Sequence, residues 1–530
     1  MNLTRSFGSV GGLTLASRIL ALVRDSLQAR YVGANFASDA FLVAFRLPNM
    51  FRAFFAEGAF SSAFIPMFNK KLAESGGERG PAFDFAERSL SMLFAFLIVM
   101  TVILLLAAWP LTWLLSGFGF HKQHPTHEQF AFAVELSRLT IPYLMLICLA
   151  SLLGGILNSL EKFWVNAAAP ILLNIAMIFG LFIFHGTPTE SARAQAISVP
   201  VGGVLQLVWL FLACRAAGVS LRPRLPRIDP EVRRLMEQIL PVALGAGAVQ
   251  LNLVVSTALS GYLLGEGSIS YIYYADRVNQ LPLGLIGIGL GTILLPTMSR
   301  LLSSGEDAKA MDTQNRGMEL ALFLTLPAMV ALIVAAGPIV RGLFQYGHFS
   351  AADTVKCSWA LAGFSLGLPS YILVKVLTPG YYARHDMKTP VRFAIQSVAV
   401  NLVGNLVLIP VLAQFGYGHV GPPLATALSS TVNVWFLYRT LIARGHFVAD
   451  PQLKRRVPRM ALAALLMGAA VFGIGQLFDP WLKGRLWERY MALVGLVSAG
   501  VAVYVVACLL TRAFALDDVK LLISRRERTA

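Results

Sequence analysis

Apolar runs of about 20 residues recur along almost the whole of this chain, with no polar stretch between them long enough to form a soluble core. Such a run can cross the roughly 30 Å hydrocarbon core of a bilayer as a helix, which satisfies its own backbone hydrogen bonds where no water is available. Scanning with a window of that length gives roughly fourteen spans, centred near residues 16, 53, 103, 142, 172, 205, 250, 287, 330, 366, 401, 429, 468 and 502. Composition agrees: 56% of the residues are hydrophobic and 14% charged, whereas a soluble domain carries about 25% charged residues. The expected fold class is an all-α polytopic membrane protein.

The net charge of +16 is unevenly placed along the chain. Lys and Arg gather in the N-terminus, alternate loops and the C-terminal tail, while the opposite loops hold Lys122, Arg193, Lys483 and Arg485. The positive-inside rule therefore puts both termini in the cytoplasm. The loop at 222–234, the run Lys454, Arg455, Arg456 and the tail at 524–528 are expected to meet lipid headgroups. In a chain without a soluble domain, these patches do not point to nucleic acid. Arg18 and Arg24 interrupt the first apolar segment, so it does not read as a cleaved signal. Cys148, Cys214, Cys357 and Cys508 lie scattered in apolar segments without ligand spacing and read as packed small side chains.

A weak internal duplication runs through the sequence. Gly33, Leu47-Pro48 and Pro66 recur as Gly265, Leu281-Pro282 and Pro296, and the segment 141–155 echoes 368–380. Both echoes lie roughly 225–235 residues apart, which fits six spans per copy. The resulting division is 1–220 for an N-terminal six-helix lobe and 230–445 for a pseudo-symmetric C-terminal one. Two extra spans follow at 455–515, then a basic cytoplasmic tail at 516–530. Duplicated lobes suit a transporter that alternates about a midplane site. The glycines of 284–291 are expected to allow close helix packing.

Charges fall where lipid would otherwise be. Arg18, Arg24, Asp25, Arg30, Asp39, Arg46, Arg52 and Glu57 lie in or beside the first two spans, and Asp276 and Arg277 open the eighth. An ionised group at the bilayer centre costs about 2.5–3.5 kcal/mol or more, so these residues should face a water-filled cavity or one another. Arg18 and Asp25 share a helical stripe, as do Asp39 and Arg46. Arginines outnumber carboxylates in this set, which favours an anionic ligand and forked contact with phosphate oxygens. Glu135 with Arg138 reads as a structural pair; Arg341, Lys356 and Lys375 are further candidates, with Lys375 the best placed to line a cavity. No Walker A loop and no clustered acidic metal ligands are seen, so neither ATP hydrolysis nor polyprenyl-phosphate enzymology is expected. His121, His124 and His127 have three-residue spacing in a Pro-containing loop and are not read as a metal site.

The segments at 17–34 and 38–66, with 273–296, 343–349 and 379–391, resemble the MurJ (MviN) lipid II flippases of the multidrug/oligosaccharidyl-lipid/polysaccharide exporter superfamily. The resemblance runs over essentially the whole chain. It implies two six-helix lobes plus two helices forming a lipid-tail groove, in the bacterial inner membrane. It implies transport of lipid II, the undecaprenyl-pyrophosphate disaccharide-pentapeptide; membrane lipids and cell-wall synthases are the candidate further partners. The family's cationic-cavity positions match Arg18, Arg24, Arg52 and Arg277, and Asp39 is retained; Asp25, Glu57, Asp276 and Lys375 fit as charge partners or gating groups. Gln280 replaces a carboxylate found in some relatives, which weakens any ion contact assigned there. No cofactor or metal is expected, and coupling to the membrane potential or an ion stays unassigned. A flippase for another polyprenyl-linked glycan, a drug/cation antiporter and a scaffold or enzyme of cell-wall synthesis are the alternatives. An antiporter would want a carboxylate-rich cavity, and a scaffold has no use for charge at bilayer depth.

Overall fold

The computed structural model describes residues 3–56, 59–74, 80–121, 124–222, 224–226 and 229–513. Among them the chain is helical, without a strand, and it divides into two compact units. The first runs to Ser270 and includes Tyr346–Phe349; the second comprises Tyr271–Gln345 and the chain from Ser350 onward.

The first unit holds α1 (Leu3–Tyr31), α2 (Phe36–Ala56), α3 (Ala59–Glu74), α4 (Gly80–Leu106), α5 (Ala108–Leu115), α6 (Gly117–Phe120), α7 (His127–Thr140), α8 (Pro142–Ser159), α9 (Phe163–Ile183), α10 (Pro188–Ala216) and α11 (Pro230–Leu263). The next helix, α12 (Ser268–Ser303), starts in the first unit and continues into the second. The rest follow in the second unit: α13 (Asp307–Val334), α14 (Ala336–Phe344), α15 (Ala351–Leu366), α16 (Leu368–Tyr382), α17 (Lys388–Ala413), α18 (Gly421–Ala443), α19 (Pro451–Leu482) and α20 (Leu486–Leu510).

Among the described residues, ten helices are long and apolar enough to cross a membrane, counting α7 with α8 and α15 with α16 as continuous spans. The other sequence-derived centres, at 16, 53, 250 and 429, fall on α1, α2, α11 and α18. Among the described residues α11 holds a shorter apolar stretch, Leu253–Leu263, and α1 and α2 carry arginines and carboxylates within their apolar runs.

Local chemistry sets the helix ends. Thr126 with Gln129, and Thr187 with Glu190, form capping boxes at α7 and α10. Asp229 and Asp450 cap α11 and α19, each followed by a proline at the first helical position. The repeated prolines 48, 66, 282 and 296 all lie inside helices.

In the first unit, Phe64, Phe68 and Phe85 stack in the core, and Gly203 lets α10 close on Tyr143 and Leu146 of α8. The helix α11, which the duplication allots to the second copy, packs here against α2 to α6. Its N-terminus is tied by Arg88 to Asp229 and Glu231, and by Lys71 to Glu231. The preceding linker lies along α4: Arg224 pairs with Asp84 and Glu87, and its backbone N–H donates to Ser91. Arg224 therefore binds protein carboxylates where headgroup contact was expected.

In the second unit, Leu294, Ile372, Val376 and Tyr381 form one apolar core, and Met460, Ala464, Met467 and Leu496 another. The nearly buried Glu319 on α13 accepts from Arg316 and from Arg456 of α19. Arg456 too is drawn from headgroups into the protein, because a buried carboxylate needs a cation close by. All four cysteines are buried and free, as their apolar settings suggested. Of the glycines in 284–291, Gly287 packs against α16, whereas a Cβ at Gly289 or Gly291 would meet nothing within 4 Å.

Candidate functional site

Two polar clusters of the first unit hold Arg24, Asp25 and Asp39 of the residues singled out in the sequence. The first lies where α1 packs on α9. Arg24 is 5% exposed and Asp25 0%. The Arg24 guanidinium donates from Nε (3.1 Å) and Nη2 (2.7 Å) to Asp25 Oδ1, and from Nη1 to Asn174 Oδ1 at 3.0 Å. Asn174 in turn donates to the Ser17 carbonyl at 3.1 Å. The carboxylate holding Arg24 is thus its own chain neighbour. The Arg18–Asp25 stripe is not the pairing that forms: Arg18 lies exposed two turns away, while α9 buries Asp25 beside Arg24.

Arg52, half-buried on α2, donates from Nε to Asn49 Oδ1 at 3.0 Å. Tyr143, fully buried on α8, lies within Coulombic reach of both Arg52 and Arg24, which places the two arginines in one neighbourhood. Arg46 donates to Thr257 of α11 at 2.5 Å. Glu57 lies outside the described residues.

The second cluster is a reciprocal capping of two helix starts. Asp39, 0% exposed, accepts from Gly267 N (2.9 Å), Ser270 N (2.9 Å) and Ser270 Oγ (2.6 Å) at the N-terminus of α12. Glu266, just before α12, accepts from Phe36 N at the start of α2, at 2.7 Å. A carboxylate at a helix N-terminus meets both the orphan N–H groups and the positive end of the helix dipole. The stripe shared by Asp39 and Arg46 in the sequence is therefore split between α12 and α11. Nearby, Gly33 (φ +84°) lies against His348, where a Cβ would come within 2.7 Å of the carbonyl oxygen. His348 N donates to Arg30 O at 2.9 Å.

In the second unit, α12 carries a polar face. Asp276 accepts from Gln280 at 2.5 Å, so Gln280 serves here as a donor. Arg277 stacks its guanidinium 4.7 Å from the centroid of the Tyr273 ring. Asp276 is within Coulombic reach of Tyr371 on α16. One turn beyond Tyr371, Lys375 is exposed, and its Nζ lies where a Cβ on Gly287 would sit 2.7 Å away.

Other charged candidates find structural partners. Glu135 pairs with Arg193 of α10 at 2.7 Å, and Arg138 points to the exposed face; the Glu135–Arg138 pair is corrected accordingly. Sequence spacing favours neighbours on one helix, whereas the facing helix supplies the shorter reach. Arg341 lies 3.6 Å from Asp479, and Lys356 sits over the Tyr271 ring. His121 stacks on Tyr262 with centroids 4.6 Å apart. No cluster of three or more metal-holding side chains occurs among the described residues. The residues that sequence reasoning missed, Asn174 and Ser270, are neutral side chains whose roles come only from the charges facing them.

A sequence profile described as lipid II flippase MurJ matches residues 28–492. A probable lipid II flippase MurJ of Rhizobium tropici is 40% identical over 517 residues, covering 96% of this chain and 94% of that protein. The lipid II flippase MurJ of Burkholderia cenocepacia is 33% identical, covering 90% and 91%. Among solved structures, a lipid II flippase MurJ in an inward closed conformation aligns with TM-score 0.77 and 25% identity, over 95% of this chain and 98% of that one. An inward-facing multidrug resistance MATE family transporter of the MOP superfamily aligns at TM-score 0.65 and 17% identity, a likeness of fold.

Proposed function

This chain belongs to the lipid II flippase MurJ family, and from that premise we propose how it moves its lipid-linked peptidoglycan precursor across the membrane. The chain is a multi-pass lipid II flippase, a transporter and not a catalyst. In our reading the undecaprenyl-pyrophosphate substrate passes from the cytoplasmic to the periplasmic leaflet of the inner membrane by alternating access, and both termini are cytoplasmic. The excess of Lys and Arg on one side supports that orientation. The fourteen-span count and the lobe limits 1–220 and 230–445, with 455–515 guiding the polyprenyl tail, belong to the same reading. So does docking to cell-wall synthases.

The observation that carries the mechanism is the burial of Arg24 between Asp25 and Asn174 within an apolar helix pair. A guanidinium costs too much at that depth to be kept for packing alone. We assign Arg24, Arg52 and Arg277 to the pyrophosphate, whose oxygens suit forked N–H donors. Arg18, exposed on the same helix as Arg24, guides approach. Asp25 holds the Arg24 guanidinium in a fixed orientation while the site is empty. Arg52 donates to Asn49 and Arg277 lies over the Tyr273 ring; both are assigned to the pyrophosphate by residue type, since a guanidinium fork matches its oxygens. Asp276 and Lys375 tune the site's charge.

Asp39 is assigned to gating, since its three bonds fix the start of α12. Glu57 is retained as a further gating candidate on sequence grounds. Bound pyrophosphate neutralises the arginines and lowers the cost of closing one end; release into water at the other restores their charge. The membrane potential then resets the empty carrier, each elementary charge moved through 100 mV contributing about 2.3 kcal/mol. No cofactor is required in this scheme.

The test is depletion of the protein, with lipid II probed by a reagent confined to the periplasm. Wild type should restore exposure and Arg24→Ala should not. Restoration by Arg24→Ala sinks the cationic-site assignment, and unchanged exposure on depletion in a strain without a redundant flippase sinks the direction of transport.

A further inference from the structure

We propose that the groove between α9 and α10 is a phospholipid site. It would take one acyl chain of a lipid whose headgroup carries both a phosphate and a primary amine. The groove encloses about 920 Å³, within the roughly 300–1,000 Å³ of ligand pockets. Its floor is small and tightly closed: Gly180 has no room for a Cβ against Ser198 Oγ. Its rims are large and open, with Phe179 63%, Ile197 47% and Val201 49% exposed. From Arg193 to Leu205, the groove follows α10 for about 18 Å at 1.5 Å per residue. That is close to the hydrocarbon depth of one leaflet, about 15 Å. A chain lying there would belong to the leaflet in which α10 begins.

The polar end of the groove selects the headgroup. It is bounded by His185, Glu190 and Arg193. Arg193 donates through Nε (2.7 Å) and Nη2 (3.0 Å) to Glu135, which fixes the plane of the guanidinium. No protein acceptor for Nη1 occurs among the described residues, so that edge of the guanidinium is open to a phosphate oxygen. Glu190 accepts from Thr187 N through one oxygen, Oε2. One guanidinium there faces the two carboxylates Glu135 and Glu190. A purely anionic headgroup would meet surplus negative charge, whereas a phosphate with a primary amine satisfies Arg193 and Glu190 together. The site is separate from the arginines assigned to lipid II, and its occupancy is measured without transport.

The full-length protein would be purified into detergent, and bound lipid followed by native mass spectrometry. It would then be placed in vesicles of phosphatidylcholine with either phosphatidylethanolamine or phosphatidylglycerol. The phosphatidylethanolamine would carry a photoreactive group in its tail, and crosslinked peptides would be mapped. Retention of phosphatidylethanolamine over phosphatidylglycerol by tenfold or more, with labelling of 175–205, is the expected result. Arg193→Gln should abolish the preference. Ile197→Trp, which fills the groove from its exposed rim and leaves the Arg193–Glu135 pair intact, should abolish the labelling. Equal retention of the two lipids, capture of lipid II in the groove, or unchanged labelling in Ile197→Trp would each overturn the proposal.

Discussion

Replacing Asp39 by Asn is the sharpest probe of the capping that starts α12. The carboxylate accepts three hydrogen bonds with no exposed surface: Oδ1 takes both donors of Ser270, and Oδ2 takes the N–H of Gly267. An asparagine can keep the Ser270 contacts through its carbonyl oxygen, but its NH₂ then faces the Gly267 N–H, donor against donor. A buried amide left without an acceptor costs about 1–3 kcal/mol, and loss of the negative charge at a helix N-terminus adds about 0.3–1 kcal/mol. A net of about 2 kcal/mol is on the order of a 30-fold rise in the opened population, at 1.4 kcal/mol per factor of ten. Asp39→Ala removes all three acceptor contacts and should cost about 4 kcal/mol. Hydrogen–deuterium exchange of the peptide covering 266–272, in lipid nanodiscs, reads this opening directly. Protection there should fall on the order of 30-fold in the Asn variant and further in the Ala variant, with the first turns of α10 unchanged. Asn within a few-fold of wild type, or Ala no worse than Asn, would refute the donor–donor argument.

Three further perturbations test other parts of the reasoning. Asp25→Ala strands the Arg24 guanidinium and should destabilise the protein by about 3–5 kcal/mol; Arg24→Met with Asp25→Leu should recover most of the melting temperature without restoring lipid II exposure, and a double variant as unstable as the single would contradict this. Gly347→Ala should lower the melting temperature more than Gly305→Ala, since both have positive φ but a Cβ at Gly347 collides with the Arg30 carbonyl and one at Gly305 meets nothing; equal losses would assign the whole effect to φ. In the loop after α16, the Thr389 hydroxyl and N–H, with Arg444, hold the Asp386 carboxyl down at about 2. That contribution is complete above the ordinary carboxylate pKa of about 3.9 and is lost as pH falls through about 2. The melting difference between wild type and Asp386→Asn should therefore stay flat from pH 7 to about 4.5, and a gap that closes near pH 6 would be the contrary outcome.

The class of solvent and the helical secondary structure were legible in the sequence, and so were the charges that stand out inside apolar runs. Apolar runs of spanning length leave the backbone only the helix, and a charge inside such a run marks itself by its cost. Arg24, Asp39 and Arg277 could be singled out on those grounds alone. Their partners could not. Helical periodicity reports the direction a side chain takes from its own axis, so it offered Arg18 for Asp25 and Arg138 for Glu135. The partners were decided by which helices pack together. Arg24 is completed by Asn174, 150 residues away, Asp39 by Ser270, 231 residues away, and Glu135 by Arg193 across from α7. The physical reason is that these contacts reward neutral or distant groups for facing a buried charge, and nothing local in the chain records that reward. Only the tertiary structure converts a costly charge into a held one, and so decides whether an arginine braces the fold or is left to meet an anion.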